Sequence, residues 1–357
     1  MRTLLFALST TLLLLTCKPP VIQEKVIGVK IYNYEGDEQA LFDEWNNIGI
    51  NSAFVSKQII ASGFFQKIAE ENQIKTFVIL PIFFDELALS EDSSLYAIKS
   101  NGEKAIDEWV KFVCPSNLEF RKNKIESIVN LVTEYNPDGI SIDFIRHFVF
   151  WEKVFPDTPD SDLPNTCFCK LCVRGFQQQF ELAIPDSLSE TQDISSWILD
   201  KHSEQWTDWK CLLITTIIEE IITETKKVKP NILVNAHIVP WKNDDFNNGI
   251  KKIAGQDIVA ISAKANYVSP MTYSHMVKRD AFWLHEVVVD FYRQTQRKIL
   301  PSIQVKEAYL VDSLSAMEFE DNLKAALLPP SNGVVFWSWE HLEQDPWKKE
   351  IIKKLVN

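Results

Sequence analysis

The sequence predicts an α/β fold: a (β/α)8 TIM barrel with long loops after its third and fourth strands. Three observations carry this. Strand-like and helix-like runs alternate about eight times between residue 25 and the end of the 357-residue chain. The strand-like runs are continuously apolar, as parallel strands covered on both faces are. No glycine-rich phosphate fingerprint follows any early strand, which argues against a doubly wound dinucleotide-binding sheet.

The elements follow in order. The first strand is 26–32, followed by a helix over 38–47 that Ile48-Gly49 closes. The second strand is 52–55, with a helix over 64–72. The third strand, 76–81, runs into a long loop over 85–117, and a helix over 118–135 stops at Asn136-Pro137. The fourth strand is 139–143, and a second long excursion with three prolines follows it. One long helix is expected over 194–228, broken by Pro230, before strands at 232–237 and 267–273. A helix over 278–297, a strand at 299–304, a helix over 315–328 and a strand at 333–339 come next. A short helix over 347–356 closes the chain. There is no internal repeat and no domain boundary within 25–357.

Residues 1–17 read as a signal peptide: Arg2 precedes an apolar run over 4–15, too short for a stable membrane span. The run ends Leu14-Leu15-Thr16-Cys17, which resembles the lipobox of bacterial lipoproteins, with Thr16 replacing the usual small residue. The expectations are lipidation at Cys17, or ordinary cleavage near Lys18, with 18–24 as a tether. Either way the protein is expected to be exported; as a lipoprotein it belongs to the bacterial cell envelope, with membrane attachment through the lipid at Cys17 alone. A net charge of −12 lacks the basic footprint nucleic acid requires.

Cys167, Cys169 and Cys172 fall within six residues, and Cys114 lies upstream. Four convergent thiolates suit a structural zinc. In an exported chain the same residues suit a disulfide staple. Cys211, within an apolar helix, reads as a buried thiol. No other cofactor is required.

In a parallel barrel the chemistry sits at the C-terminal ends of the strands. The fourth strand ends in Asp143, with Arg146 three residues on. Around the same mouth fall Tyr32, Tyr34, Asp85, His237, Tyr273, Gln304, Glu307, Trp339 and Glu340, while Trp337 is expected to pack the barrel floor. Carboxylates among aromatic rings suit an oligo- or polysaccharide: rings stack on the sugar's apolar face, and a carboxylate pair performs acid–base or nucleophilic chemistry. A metal-dependent hydrolase using His237 and His275 lacks any H-x-H or H-E-x-x-H spacing.

The segment Asp138-Gly139-Ile140-Ser141-Ile142-Asp143-Phe144-Ile145-Arg146 resembles the fourth-strand motif D-G-x-x-x-D-x-x-R of glycoside-hydrolase-like TIM barrels. Three further segments resemble the same group in the same order: 109–117 around Cys114-Pro115-Ser116-Asn117, 167–176 with its C-x-C-x-x-C, and 268–273. The resemblance implies the barrel and a glycosidase-like cleft. Chitinase-like barrels share Asp138, Asp143, Met271 and Tyr273, but Ile145 stands where their catalytic Glu would be. Amylase-like barrels share Gly139, Asp143 and His147, but Ser141 replaces their Arg.

The expected roles are therefore these. Asp143, held ionised by Arg146, is the nucleophile or base. Glu307 or Glu340 is the partner acid. Tyr34, Arg146, His237, Tyr273, Gln304 and Trp339 contact substrate. The expected function is exported glycoside hydrolysis. The alternative is a non-catalytic carbohydrate-binding lipoprotein, a barrel that has lost its acid.

Overall fold

A computed structural model describes residues 25–357; the expected signal peptide, Cys17 and tether lie outside them. Eight parallel strands form the barrel: β1 Val26–Ile31, β2 Ser52–Val55, β3 Lys75–Pro81, β4 Gly139–Asp143, β5 Leu233–Ile238, β6 Tyr267–Pro270, β7 Ser302–Gln304 and β8 Gly333–Trp337. They pair in the order β6-β5-β4-β3-β2-β1-β8-β7. The parallel bridges Val268–Ile299 and Met271–Ser302 join β6 to β7 and close the ring. The major helices are α1 Glu38–Ile48, α2 Phe65–Glu71, α3 Leu118–Tyr135, α4 Lys170–Phe180, α5 Thr191–Lys201, α6 Ser203–Val228, α7 Ala281–Thr295, α8 Ala316–Leu327 and α9 Pro346–Val356.

The barrel's interior explains the fourth-strand motif. Phe54, Phe77, Ile79, Tyr267, Leu300 and Val335 fill the floor, with Phe54 and Phe77 stacked at 4.8 Å. A Cβ on residue 139 would sit 2.4 Å from the Phe77 ring, so Gly139 is the residue that lets this aromatic layer form. Asp138 pins β4 to β3: its Oδ2 accepts from the Thr76 N–H at 2.9 Å and the Thr76 hydroxyl at 3.2 Å. The first half of the motif is thus architecture. The register pairs Pro81 with Asp143 and Ile142 with Ala236, which sets Asp143 at the rim.

Several boundaries differ from expectation. The long helix over 194–228 is two, α5 and α6, because His202 leaves the helical region (φ −136°, ψ 27°) and shares a 2.7 Å hydrogen bond with Gln205. Lys278 has φ +54°, so α7 starts only after Asp280, whose carboxylate accepts from the Trp283 N–H at 2.9 Å. The last strand ends at Trp337, and Trp339 opens a short helix, Trp339–Leu342. The long loops fall after β3 and β4 as expected. The first carries a helix, Glu86–Glu91, and a small hairpin pairing Ile106–Asp107 with Val110–Lys111. Among the described residues no helix is long and apolar enough to cross a membrane.

Candidate active site

A cavity of about 530 Å³ opens at the C-terminal ends of the strands, lined by Lys30, Tyr32, Asp143, Arg146, Tyr273 and Trp337 from strand ends and by Glu152, Trp109 and Tyr309 from loops. Asp143 is 7% exposed. Its Oδ1 accepts from the Phe144 N–H at 2.7 Å. Phe144 adopts φ +48°, a left-handed conformation that costs an ordinary residue on the order of 1–3 kcal/mol. The sharp turn aims the amide back at the carboxylate.

Burial alone would raise the Asp143 pKa. His237, the Lys30 ammonium, the Phe144 N–H and the Arg146 guanidinium outweigh it, so the carboxyl is held below its ordinary range. Burial pushes His237 itself down to about 3. At neutral pH the imidazole is therefore uncharged, and the attraction that persists comes from Lys30, the amide and Arg146. Burial takes Lys30 down to about 8 against the pull of Asp143. Its Nζ donates to the Tyr273 hydroxyl at 3.3 Å. The Tyr273 ring stacks on Trp337, centroids 4.7 Å apart.

Glu152 is the second carboxylate of the cavity. Burial drives its pKa up to about 7; Arg146 opposes this and the charge on Asp143 adds to it. Its Oε2 is buried without a hydrogen-bond partner. Arg146 lies between the Phe112 and Phe144 rings, 5.0 Å from each centroid, and donates to the Val149 carbonyl at 3.2 Å. One fixed cation thus faces both carboxylates. Glu340 also lines the cavity. Its Oε1 accepts from the Tyr32 and Asn33 amides at 2.6 and 3.0 Å, leaving Oε2 unpartnered.

The barrel brings together Asp143, Arg146, Tyr273 and Glu340 of the expected site and leaves five residues outside the cavity lining. Tyr34 donates to the Asp37 carbonyl at the start of α1. Trp339 is fully buried, edge-on to Trp45 at 5.6 Å. It sits behind the barrel because β8 has already ended. Gln304 is spent on backbone, accepting from Met276 N–H and donating to the Lys306 carbonyl, both at 2.9 Å. His237 shares a 2.9 Å hydrogen bond with Ser141 below the cavity. Glu307 turns into its own loop and accepts from the Leu314 N–H at 3.3 Å. Trp337, expected in the floor, lines the cavity instead, as Trp109 does.

Sequence reasoning missed Lys30, Trp109, Glu152 and Tyr309. Two carried a signal. Lys30 is the one charge in an apolar strand, and Glu152 closes the aromatic run Phe148-Val149-Phe150-Trp151.

No protein-family model matches the chain, and no curated protein matches it in sequence. Solved structures do match in shape. The PgaB (BpsB) glycoside hydrolase domain from Bordetella bronchiseptica superposes with a TM-score of 0.69 at 12% identity, over 94% of this chain and 99% of that one. A β-galactosidase from the psychrophilic Marinomonas ef1 gives 0.69 at 8% identity, over 93% and 59%. α-L-Fucosidase isoenzyme 2 from Paenibacillus thiaminolyticus gives 0.58 at 12%, over 93% and 49%. The fold is that of glycoside hydrolase barrels. The chain spans half to three-fifths of the galactosidase and fucosidase chains. At these identities the likeness concerns the fold alone.

The four expected ligand cysteines do converge. The sulfurs of Cys114, Cys167, Cys169 and Cys172 all lie within 4.8 Å of one another, and all four are free thiols rather than disulfides. Cys114 Sγ is 3.3 Å from Cys169 and 3.5 Å from Cys172. A sulfur–sulfur bond would need about 2.05 Å, whereas the edges of a tetrahedral zinc–thiolate site are about 3.8 Å. The donor set fits a metal. It ties the end of the β3 loop to the β4 excursion, the two loops that carry Trp109 and Glu152.

Proposed function

We propose that this protein is a glycoside hydrolase acting on an oligo- or polysaccharide, with Glu152 as general acid and Asp143 as nucleophile or base. The carrying observation is that two carboxylates share one cavity while their surroundings push their pKa values in opposite directions, the arrangement that divides acid from base. Glu152, protonated near neutrality, gives its proton to the leaving oxygen as the glycosidic bond breaks. Asp143, ionised, either attacks the anomeric carbon or takes a proton from the water that does. Lys30 and Arg146 hold the negative charge in place. Trp337, backed by the stacked Tyr273 ring, offers its face to the sugar. The alternative of a barrel that has lost its acid rests on Ile145 standing at the position of the chitinase-like Glu; Glu152 and Glu340, which line the same cavity as Asp143, favour the hydrolase reading over it. Glu340, with one oxygen held by two amides, serves as an acceptor for a sugar hydroxyl.

The cysteine tetrad is proposed as a structural zinc site that fastens the two loops. Export with a lipid on Cys17 is proposed from the leader alone, and incorporation of labelled palmitate that Cys17→Ser abolishes would test it.

The test of function is a screen of residues 18–357 on aryl glycosides and polysaccharides beside Asp143→Asn and Glu152→Gln. Turnover lost in both variants supports the assignment. Turnover retained in both sinks it, and saturable sugar binding without turnover by the wild type returns the binding-protein reading.

A further inference from the structure

We propose that the cavity is blind at one end, so that the enzyme takes the terminus of a glycan chain and removes short units from it rather than cutting internally. This deepens, and rests on, the hydrolase reading above.

In the closed ring β4 and β7 are not neighbours; β5 and β6 separate them on one side. Yet the loops that follow β4 and β7 meet. The Tyr309 ring, after β7, packs edge-on against Phe150, after β4, at 5.4 Å. Phe150 in turn packs edge-on against Trp109 at the tip of the β3-loop hairpin at 5.7 Å. The Lys153 ammonium lies over both Phe150 and Tyr309, 5.2 and 5.8 Å from their centroids, and pairs with Glu108 beside Trp109. Three loops are thus knitted into one aromatic wall across the rim.

The sector behind the wall is filled. Trp151 packs on Tyr273 at 5.8 Å. Lys278, after β6, sits over the Phe155 ring at 4.2 Å. The His147 N–H donates to the Ala254 carbonyl between β5 and β6 at 2.8 Å. The β4 loop therefore covers the β5–β6 side of the mouth. The opposite rim is low: after β2 a single residue precedes the helix Lys57–Ile60, and after β1 only residues 32–37 precede α1. Asn33 and His341 line the cavity on that low side.

A chain crossing the mouth from end to end would have to pass through the wall. A chain entering from the low side ends against it. Trp109 and Tyr309 line the cavity while remaining 39% and 42% exposed, so ring faces are available to a terminal sugar. The two carboxylates lie deep, at 7% and 9% exposure, so the bond that is cut has to be brought down to them from the rim.

The experiment uses linear gluco-, galacto-, fuco-, xylo- and hexosamine oligosaccharides, unmodified or carrying a bulky ether on the terminal sugar at one end, the other, or both. Wild type is expected to shorten free chains by one fixed unit from the first time points, and to cleave chains blocked at the entering end more slowly by roughly tenfold or more. The double variant Trp109→Ala/Tyr309→Ala, checked for folding by its melting transition, is expected to narrow that ratio and to release internal fragments. Internal fragments from wild type at the outset, or equal cleavage of free and blocked chains, overturn the proposal while leaving the hydrolase intact. If wild type cleaves nothing, the hydrolase reading fails, and quenching of tryptophan fluorescence decides the geometry: binding of free chains but not of doubly blocked ones upholds the blind cavity, and any other result overturns it.

Discussion

The ammonium of Lys30 reaches across the barrel from β1 to the Tyr273 hydroxyl beyond β6, donating to it at 3.3 Å. That link joins the charge that steadies Asp143 to the ring that stacks on Trp337. Both are buried, at 1% and 4% exposure. The ammonium's hydrogen-bond partner is the phenol, and the charge of Asp143 acts on it through space. Lys30→Met is expected to move the acidic limb of the pH–rate profile toward neutrality, because Asp143 loses a charge that favours its ionised form. A limb that stays in place would show that Lys30 does not act on Asp143.

The wild-type profile has its own sign. Glu152 must hold its proton to act as acid, so kcat/KM should fall as pH rises through about 7. Asp143 must be ionised, so the acidic limb should lie below the ordinary carboxylate range. Initial rates on an aryl glycoside with a good leaving group give the contrast: such a substrate needs little acid assistance, so its alkaline limb should flatten.

Glu152 carries a stability cost at neutral and alkaline pH. Its pKa rises from 4.5 to about 7 on folding, so the folded state binds more protons between those values and stability falls as pH rises through them. The full displacement is worth about 3 kcal/mol. Glu152→Gln removes it. The variant should melt higher than wild type at about pH 8 and lose that advantage at about pH 4. An equal difference at both would point to altered packing instead of charge.

Gly139 is a packing position. An added Cβ would lie 2.4 Å from the Phe77 ring and 2.9 Å from the Leu233 carbonyl. Gly139→Ala should cost about 1–3 kcal/mol by chemical denaturation, as overpacked cores do. Phe77→Leu in the same chain should return part of it.

The cysteine tetrad should carry one zinc per chain by elemental analysis. Cys172→Ser is expected to abolish it and to cost on the order of 4 kcal/mol or more, the range where loss of a metal belongs. Purified protein with four titratable buried thiols and no metal would leave the tetrad as mere packing.

Much of the fold was legible because its signal is local. Continuous apolar runs announced eight buried strands, and the abrupt change from Ile142 to Asp143 announced a strand end. Asp138 and Gly139, read as part of one motif, divide from Asp143 in role: they build the sheet and its aromatic floor. The tryptophans illustrate what local signal cannot carry. Residues 337 and 339 share a parity, and side chains of a strand alternate with period 2, so a strand over 333–339 would send both to one side. The strand stops at Trp337, parity lapses, and Trp337 faces the cavity while Trp339 packs behind on Trp45.

By itself, the sequence determined the barrel, the place of Asp143 at its mouth and the closely spaced trio Cys167, Cys169 and Cys172, because each depends on side-chain patterns within one element or loop. Only the tertiary structure decided that Glu152 lines the same cavity as Asp143, and that Tyr309 and Trp109 meet Phe150. Those encounters join loops from β3, β4 and β7, and the paths of such loops are set by packing across the barrel rather than by the residues next to them in the chain. The opposed pKa shifts follow from the same cause, since burial and neighbouring charge exist only once the loops have closed.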